Sequence, residues 1–523
     1  MFNISHHLKR VILENRIYYW AGFLIYSLLV VVVGIVIYLR DRRKGRRYDN
    51  RAFWTADRRL SGYSIGLSIS ASMMSVSWSC VYDVQLFYWY GVGSIWLLAV
   101  PWLVTMGGFY AFVPLFRRLN VFSQPELLEK RFGKRARRLL APTLILVFIT
   151  WAGAEIFAAG ILIAPFLGIS LPWMLFLIAL VVALYSFTGG FEAVVSTDKI
   201  QFAIVAVFIA ATAAVGLKAA LHQAGSFTNF WAGIPPAPKA DANLAALFSP
   251  GMALIGMTFI AYLPGWLVET DVWVRFQAAA TNREARKGIG VAALNSFVFV
   301  GILPLFIGLT ALYLYPPVNA QIPDKLQDAS LIFTVLLQEH APTAISLVLS
   351  IGLIAAAMST VDTCGNVVAL SISYDILEPA LKKKWPPKRL NRLARLVSVI
   401  AIGLAFVYAL FTNSLWDIFY LSSGLLTTTI FIPVMGAFLK NTTRMQIYLS
   451  IILGFLGTLT GYFLESSHLL QVFEPNWLAA TGLGYILFGF LLSAAGFWLG
   501  KMKTVQSPGS SGTRPPSVPF PLK

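Results

Sequence analysis

Residues 355–363 read AAAMSTVDT, inside a run that is otherwise apolar enough to lie in lipid. An acid at the centre of a spanning helix costs roughly 2.5–3.5 kcal/mol even on lenient insertion scales, so Asp362 needs a partner or a purpose. On a helix, Ala356, Ser359, Thr360 and Thr363 recur at i, i+3, i+4 and i+7 and form one narrow stripe of small or hydroxyl-bearing side chains. The stripe admits two roles. It can let helices approach closely through small residues. It can also offer hydroxyl and carbonyl oxygens to a hard cation, if a broken helix opposite supplies freed carbonyls.

Apolar helices must position that stripe. The chain has 523 residues, 57% apolar and only 12% charged, with more apolar surface than a soluble fold can bury. Apolar stretches of spanning length recur from about 19–39 to about 479–500 without period-2 strands, which predicts an all-α polytopic membrane protein with about 13 transmembrane helices. The net charge of +18 would suggest nucleic acid in a soluble protein. Here it concentrates after the first, third and ninth spans, in Arg40 to Arg59, FRRLNVFSQPELLEKRFGKRARR and LKKKWPPKRLNRLAR, so it reads as topology. Positive charge marks the cytoplasmic side, which puts the N-terminus outside and the C-terminus in the cytoplasm, with Lys9, Arg10 and Arg16 against the rule. The basic cluster follows the first apolar run, so that run is a retained helix and not a signal peptide. Cys80 and Cys364 fall within spans and indicate neither a disulfide framework nor a thiolate site. No Ser/His dyad, His-Glu metal motif or Walker loop stands out, and an enzyme is not expected. The tail, 501–523, is Pro/Ser/Gly-rich from Ser507 and predicts disorder.

Two spans carry residues that break helices. The second is rich in Ser, with Asp83 towards its outer end; the seventh has Pro264-Gly265 mid-span, then Glu269 and Asp271. Pro removes a backbone donor, Gly tolerates unwound dihedrals, and freed backbone groups persist at membrane depth only where they line a cavity or hold a ligand. The two breaks lie five spans apart in opposite orientation, the layout of an inverted-repeat transporter. The expected division is an extra helix and basic loop (1–61), a first repeat (62–220), a second repeat (251–438) and two C-terminal helices (446–500). Near the breaks, Trp78, Tyr82, Trp151, Tyr262 and Trp266 with Asp83, Glu155 and Glu269 form a candidate solute pocket, and no basic residue is expected mid-span. A carboxylate solute would use half-helix N-termini; a cationic or hydroxyl-bearing one would use the acids and aromatic faces.

AAAMSTVDT, YSFTGGFEAVVSTDKIQ at 185–201, ASMMS at 71–75 and RFQAAATNREARKG at 275–288 together resemble the sodium:solute symporters, over roughly residues 50 to 440. The family includes sodium/proline, sodium/pantothenate, sodium/sialic acid and sodium/sugar carriers. The resemblance implies a LeuT-type fold of five plus five inverted helices, and import of a small polar organic solute by alternating access, driven by sodium. The membrane implied is a plasma membrane, the inner membrane of a bacterium. By motif, one sodium would be held by Ala71 and Met74 on one side and Ala356, Ser359 and Thr360 on the other. A second sodium would sit among Asp198, Ser359, Asp362 and Thr363, although DKIQ at Asp198 also fits a capping box. Ser77-Trp78 stands where sugar carriers show a glutamate-glutamine pair, and Val274 where a glutamine is usual. These departures favour an amino acid or organic acid over a sugar or polyol. A solute sensor on the same fold is the alternative of another class. Sodium, the solute and the bilayer are the expected partners, with no nucleic acid and no obligatory protein.

Overall fold

The computed structural model describes residues 6–43, 58–121, 123–186, 191–380 and 385–505. The basic cluster from Lys44 to Arg51, the stretch 187–190 and the tail beyond 505 lie outside the described residues. The helices in chain order are α1 (His6–Arg43), α2 (Gly62–Met73), α3 (Val76–Trp96), α4 (Ala99–Leu119), α5 (Gln124–Phe132) and α6 (Lys134–Leu167). Next come α7 (Leu171–Ser186), α8 (Phe191–Ala224), α9 (Met252–Trp266), α10 (Thr270–Gln277), α11 (Asn282–Leu314) and α12 (Ile332–His340). The last are α13 (Thr343–Leu370), α14 (Pro387–Leu410), α15 (Leu415–Gly436), α16 (Arg444–Ser466) and α17 (Gly484–Val505). The final helix therefore continues to Val505, past the expected start of the tail at 501.

Among the described residues, ten helices are long and apolar enough to cross a membrane by themselves. Two bent pairs, α2 with α3 at 53° and α9 with α10 at 40°, bring the number to twelve when each pair is taken as one span, and α7 is a shorter apolar helix. These elements coincide with the apolar stretches of the sequence. Among the described residues there is no strand, only isolated bridges. One of them pairs Leu60, before α2, with Ala279, after α10: Leu60 N–H donates to Ala278 O at 3.1 Å and Ala280 N–H to Leu60 O at 3.0 Å. The chain leading into the first broken span is thus tied to the chain leaving the second.

Lipid is as apolar as a leucine side chain, so helices here associate by close packing of small residues more than by a hydrophobic gain. Gly66 of α2 lies so near α11 that a methyl group added to it would stand 2.7 Å from the carbonyl oxygen of Gly288. The α2 half of the broken span is held to α11 by that approach.

The second break is not where the sequence places it. Pro264-Gly265 lies inside α9, and the chain unwinds at Leu267 to Glu269. The Thr427 hydroxyl of α15 bridges the turn at the proline: it accepts the Gly265 N–H at 3.0 Å and donates to Ala261 O at 2.7 Å, taking the place of the helical bond between them. The loosened turn is satisfied by a neighbouring side chain, as membrane depth requires.

Arg16, one of the charges at the N-terminal end of α1, also gains an explanation. Arg16 donates to Leu167 O at 2.7 Å and to Gly168 O, the unpaired carbonyls at the end of α6. It acts as a cap on that helix C-terminus, where positive charge is favoured.

Candidate ion and solute site

The first break is built from three helices. α2 ends at Met73, Met74 is its C-cap, and Ser75 begins α3 in extended backbone, its hydroxyl accepting the Trp78 N–H at 3.0 Å. The first amides of a helix have no partner within it. Glu155 of α6 supplies one: its carboxylate accepts the Val76 N–H at 2.7 Å, the Ser77 N–H at 3.0 Å and the Ser77 hydroxyl. Glu155 was expected to face solute; it instead caps the half-helix, because a carboxylate at a buried N-terminus satisfies both its own charge and the exposed amides.

With the Val76 amide turned to Glu155, the Ser72 carbonyl lacks its helical donor. Thr360 of α13 donates its hydroxyl to that oxygen at 3.2 Å. The Ser359/Thr360 stripe therefore meets the broken end of α2, with Ala71, Met74, Ala356, Ser359 and Thr360 all buried there. Among the described residues no cluster of three His, Cys, Asp or Glu side chains is arranged to hold a metal. The oxygens gathered at this break are hydroxyls and carbonyls, which suit a hard monovalent cation.

Next to the stripe lies a buried charge network that the sequence did not disclose. Asp198 sits well inside α8, which excludes a capping role, and accepts from Ser68 at 2.5 Å and Ser359 at 2.8 Å. No basic residue was expected mid-span, yet Arg275 of α10 is only 1% exposed. Its guanidinium donates to Ser68 at 2.8 Å and Thr363 at 2.9 Å, lies 3.4 Å from Asp198, and pairs with Asp271. Asp362 belongs to a different group, taking the Ser186 hydroxyl and the Asn366 amide at 3.3 Å. The four residues considered for a second sodium are thus divided, and a guanidinium already neutralises Asp198.

A cavity opens between the two breaks. Trp78, Trp151, Trp266 and Glu269 line it, and so do Trp102 and Phe148, which the sequence reading did not name. Ser72, Ser77, Asp271, Thr360, Thr363 and Cys364 complete its polar side. Tyr82 and Tyr262 stand one layer back, with hydroxyls 3.3 Å apart, and Asp83 is buried away from the lining. The rings form a continuous layer: Trp78 stacks on Phe419 at 4.0 Å, Trp266 on Tyr262 at 4.4 Å, and Tyr262 on Tyr420 at 4.9 Å. On the far side of that layer, Trp416, Tyr420, Asp417 and Glu465 line a second pocket between α15, α16 and α17.

A sequence model of the sodium:solute symporter family matches residues 53–454. The chain belongs to that family. Among curated relatives, this symporter is 25% identical to the sodium/glucose cotransporter of Vibrio parahaemolyticus over 85% of its own length and 83% of the relative's. It is 24% identical to the sodium/sialic acid symporter of Aliivibrio fischeri, over 77% and 79% of the two chains. The solved structure of a sodium-coupled sialic acid symporter, substrate-bound and outward-open, superposes with a TM-score of 0.68 at 16% identity, covering 93% of this chain and 98% of that one. The fold is the LeuT type that the sequence implies, and the symporter is a multi-pass membrane carrier that couples solute movement to sodium.

The missed residues carried faint signals. Asp271 and Arg275 are spaced i, i+4, a pairing geometry on any helix. Trp102 and Phe148 could not be told from lipid-facing aromatics without their neighbours.

Proposed function

We propose that this symporter carries one sodium per solute, with the ion at the broken end of α2 and the solute in the aromatic cavity beside it. Ala71 and Met74 contribute carbonyl oxygens, Ala356 a further carbonyl, and Ser359 and Thr360 hydroxyls. The observation that carries this is the Thr360 hydroxyl at 3.2 Å from the Ser72 carbonyl, which brings the oxygen-bearing stripe of α13 to a helix end opened by Glu155. A second sodium among Asp198, Ser359, Asp362 and Thr363 is not part of the proposal, since Arg275 provides the positive charge that it would have supplied. The halves 62–220 and 251–438 act as the inverted repeats, each contributing one broken span. The N-terminus faces outside and the C-terminus the cytoplasm, in a bacterial inner membrane, as the basic loops and the bacterial relatives support. The solute is a small polar organic molecule; Trp78, Trp151, Trp266 and Glu269 contact it, while Tyr82 and Tyr262 back them.

The test is counterflow of a labelled solute panel in proteoliposomes, with sodium varied against potassium. Thr360→Ala and Ser359→Ala should each raise the sodium concentration needed for half-maximal transport. Unchanged sodium dependence in both variants would refute the ion assignment.

A further inference from the structure

We propose that the solute is an organic ammonium ion carrying a methylated nitrogen, bound with its charge against Glu269 and its methyl groups against the indole walls. The proposal rests on the reading of this cavity as the solute site. Glu269 holds the N-cap position of α10 yet makes no capping hydrogen bond. It is 1% exposed, lines the cavity, and its Oε1 has no hydrogen-bond partner among the described residues. Asp271, the other acid of the lining, differs: it pairs with Arg275 and accepts the Ser72 hydroxyl at 3.1 Å. A buried carboxylate oxygen without a partner takes up a proton or accepts a cation, and the ring faces around this one suit the cation.

The walls supply the rest. Trp266 stands at 73° to Trp78 and 76° to Trp102, and Phe148 at 69° to Trp151, so rings set steeply to one another line the cavity. Aromatic faces attract an ammonium group through their quadrupole, and do so best once water is excluded. The indole N–H of Trp102 donates to Ser296 at 3.0 Å and that of Trp151 to Ser422 at 2.6 Å, hydroxyls that do not line the cavity. Those two rings offer the cavity no donors.

Competing solute classes meet obstacles in the same geometry. An anion would need the half-helix amides of Val76 and Ser77, and Glu155 already holds both. A polyol would need a donor or acceptor for each hydroxyl. Ser72, Ser77 and Thr360 already direct their hydroxyl hydrogens at Asp271, Glu155 and the Ser72 carbonyl, so towards a solute these three can only accept, and Thr363 already accepts from Arg275. A methylated nitrogen has no or few N–H groups to satisfy and needs only the carboxylate and the ring faces. The second pocket, beyond the aromatic layer, is acidic as well: Glu465 is buried there with Oε2 unpartnered.

The experiment is titration of the full-length protein in nanodiscs, in sodium chloride, followed by tryptophan fluorescence and by melting temperature. The probes are tetramethylammonium, 2-hydroxyethyl-trimethylammonium, its neutral isostere 3,3-dimethylbutan-1-ol, glucose and acetate. The ammonium ions should bind at least tenfold more tightly than the isostere. Glu269→Gln should remove that preference, and Trp151→Leu should weaken ammonium binding on the order of 30-fold while Trp151→Phe retains most of it. Should Glu269→Gln fail to fold, the Trp151 pair still decides. A sodium-dependent rise in melting temperature, reduced in Thr360→Ala, checks the ion site separately. If that rise is present but the isostere, glucose or acetate binds as well as the ammonium ions, the ammonium proposal is overturned and the symport reading stands. If sodium has no effect and no probe binds, both fall.

Discussion

Replacing Arg275 by Gln isolates the counter-charge at the centre of the bundle. The arginine is 1% exposed and lies between Asp198 and Asp271, which are themselves buried. In Arg275→Gln, Asp198 keeps its bonds from Ser68 at 2.5 Å and Ser359 at 2.8 Å, and Asp271 keeps Ser72 at 3.1 Å. Hydroxyl donors remain, but two carboxylates lose their cation. Removing one partner of a buried pair costs about 3–5 kcal/mol, mostly for the charge left behind. Neutralising Asp198 in the same protein removes one of the two orphaned charges, so Asp198→Asn/Arg275→Gln should regain part of that loss, with a coupling of about 0.5–3 kcal/mol. Because a free cation can take the place of the guanidinium, Arg275→Gln should also be stabilised by sodium more than the wild-type protein is, relative to potassium. Thermal unfolding of the four proteins in matched sodium and potassium chloride reads all three effects. If Arg275→Gln melts with the wild type, or the double variant loses as much as the two single losses combined, the counter-charge account is wrong.

Three further outcomes follow from named contacts. Thr427→Val should destabilise by about 1–3 kcal/mol, by leaving the Gly265 N–H and Ala261 C=O without their bridge, while Thr427→Ser stays near wild type in the same melt. Glu155→Ala should weaken solute binding and be partly rescued by formate, which can occupy the amides of Val76 and Ser77; methylammonium should not rescue, and equal rescue by both would count against the cap. His340, beside the Tyr315 hydroxyl at 3.1 Å, is held below its ordinary value of 6.5 chiefly by burial, with Glu339 opposing and Lys325 reinforcing. A depressed histidine contributes stability above its unfolded value and loses it as pH falls through the folded one, so melting between pH 7.5 and 5 should steepen less in His340→Gln than in wild type.

The spans were legible because twenty apolar residues have few alternatives, and the hydroxyl stripe because i, i+3, i+4 and i+7 share a face in any helix. Ser359 and Thr360 needed no partner to be noticed. What could not be read was which distant side chain would satisfy each exposed group. Glu155 and Asp83 are both intramembrane acids in the sequence, yet one caps a half-helix and the other lies buried without a hydrogen-bond partner among the described residues. Pro264 announced a disturbance, but Thr427, far along the chain, relieves it there, and the chain parts three residues later instead. Arg275 closes an apolar run in the sequence, which does not tell that its guanidinium is buried against Asp198 and Asp271; that placement goes with the 40° bend of α9 against α10.

Glu155 grips α3 at its very beginning, and that position has a mechanical consequence. In any rigid tilt of a rod, displacement grows with distance from the axis. Trp89 lies about 20 Å along the helix from Val76 at 1.5 Å per residue. There Lys239 sits 3.2 Å over the Trp89 ring, and nearby Gln85 donates to Asp328 O at 2.5 Å. A tilt about the Met74-Ser75 joint that shifts Trp89 by several ångströms moves the Glu155 bonds by a fraction of one. The carboxylate can therefore serve as a fulcrum that stays engaged through the whole swing, while the lever's far end makes and breaks its contacts.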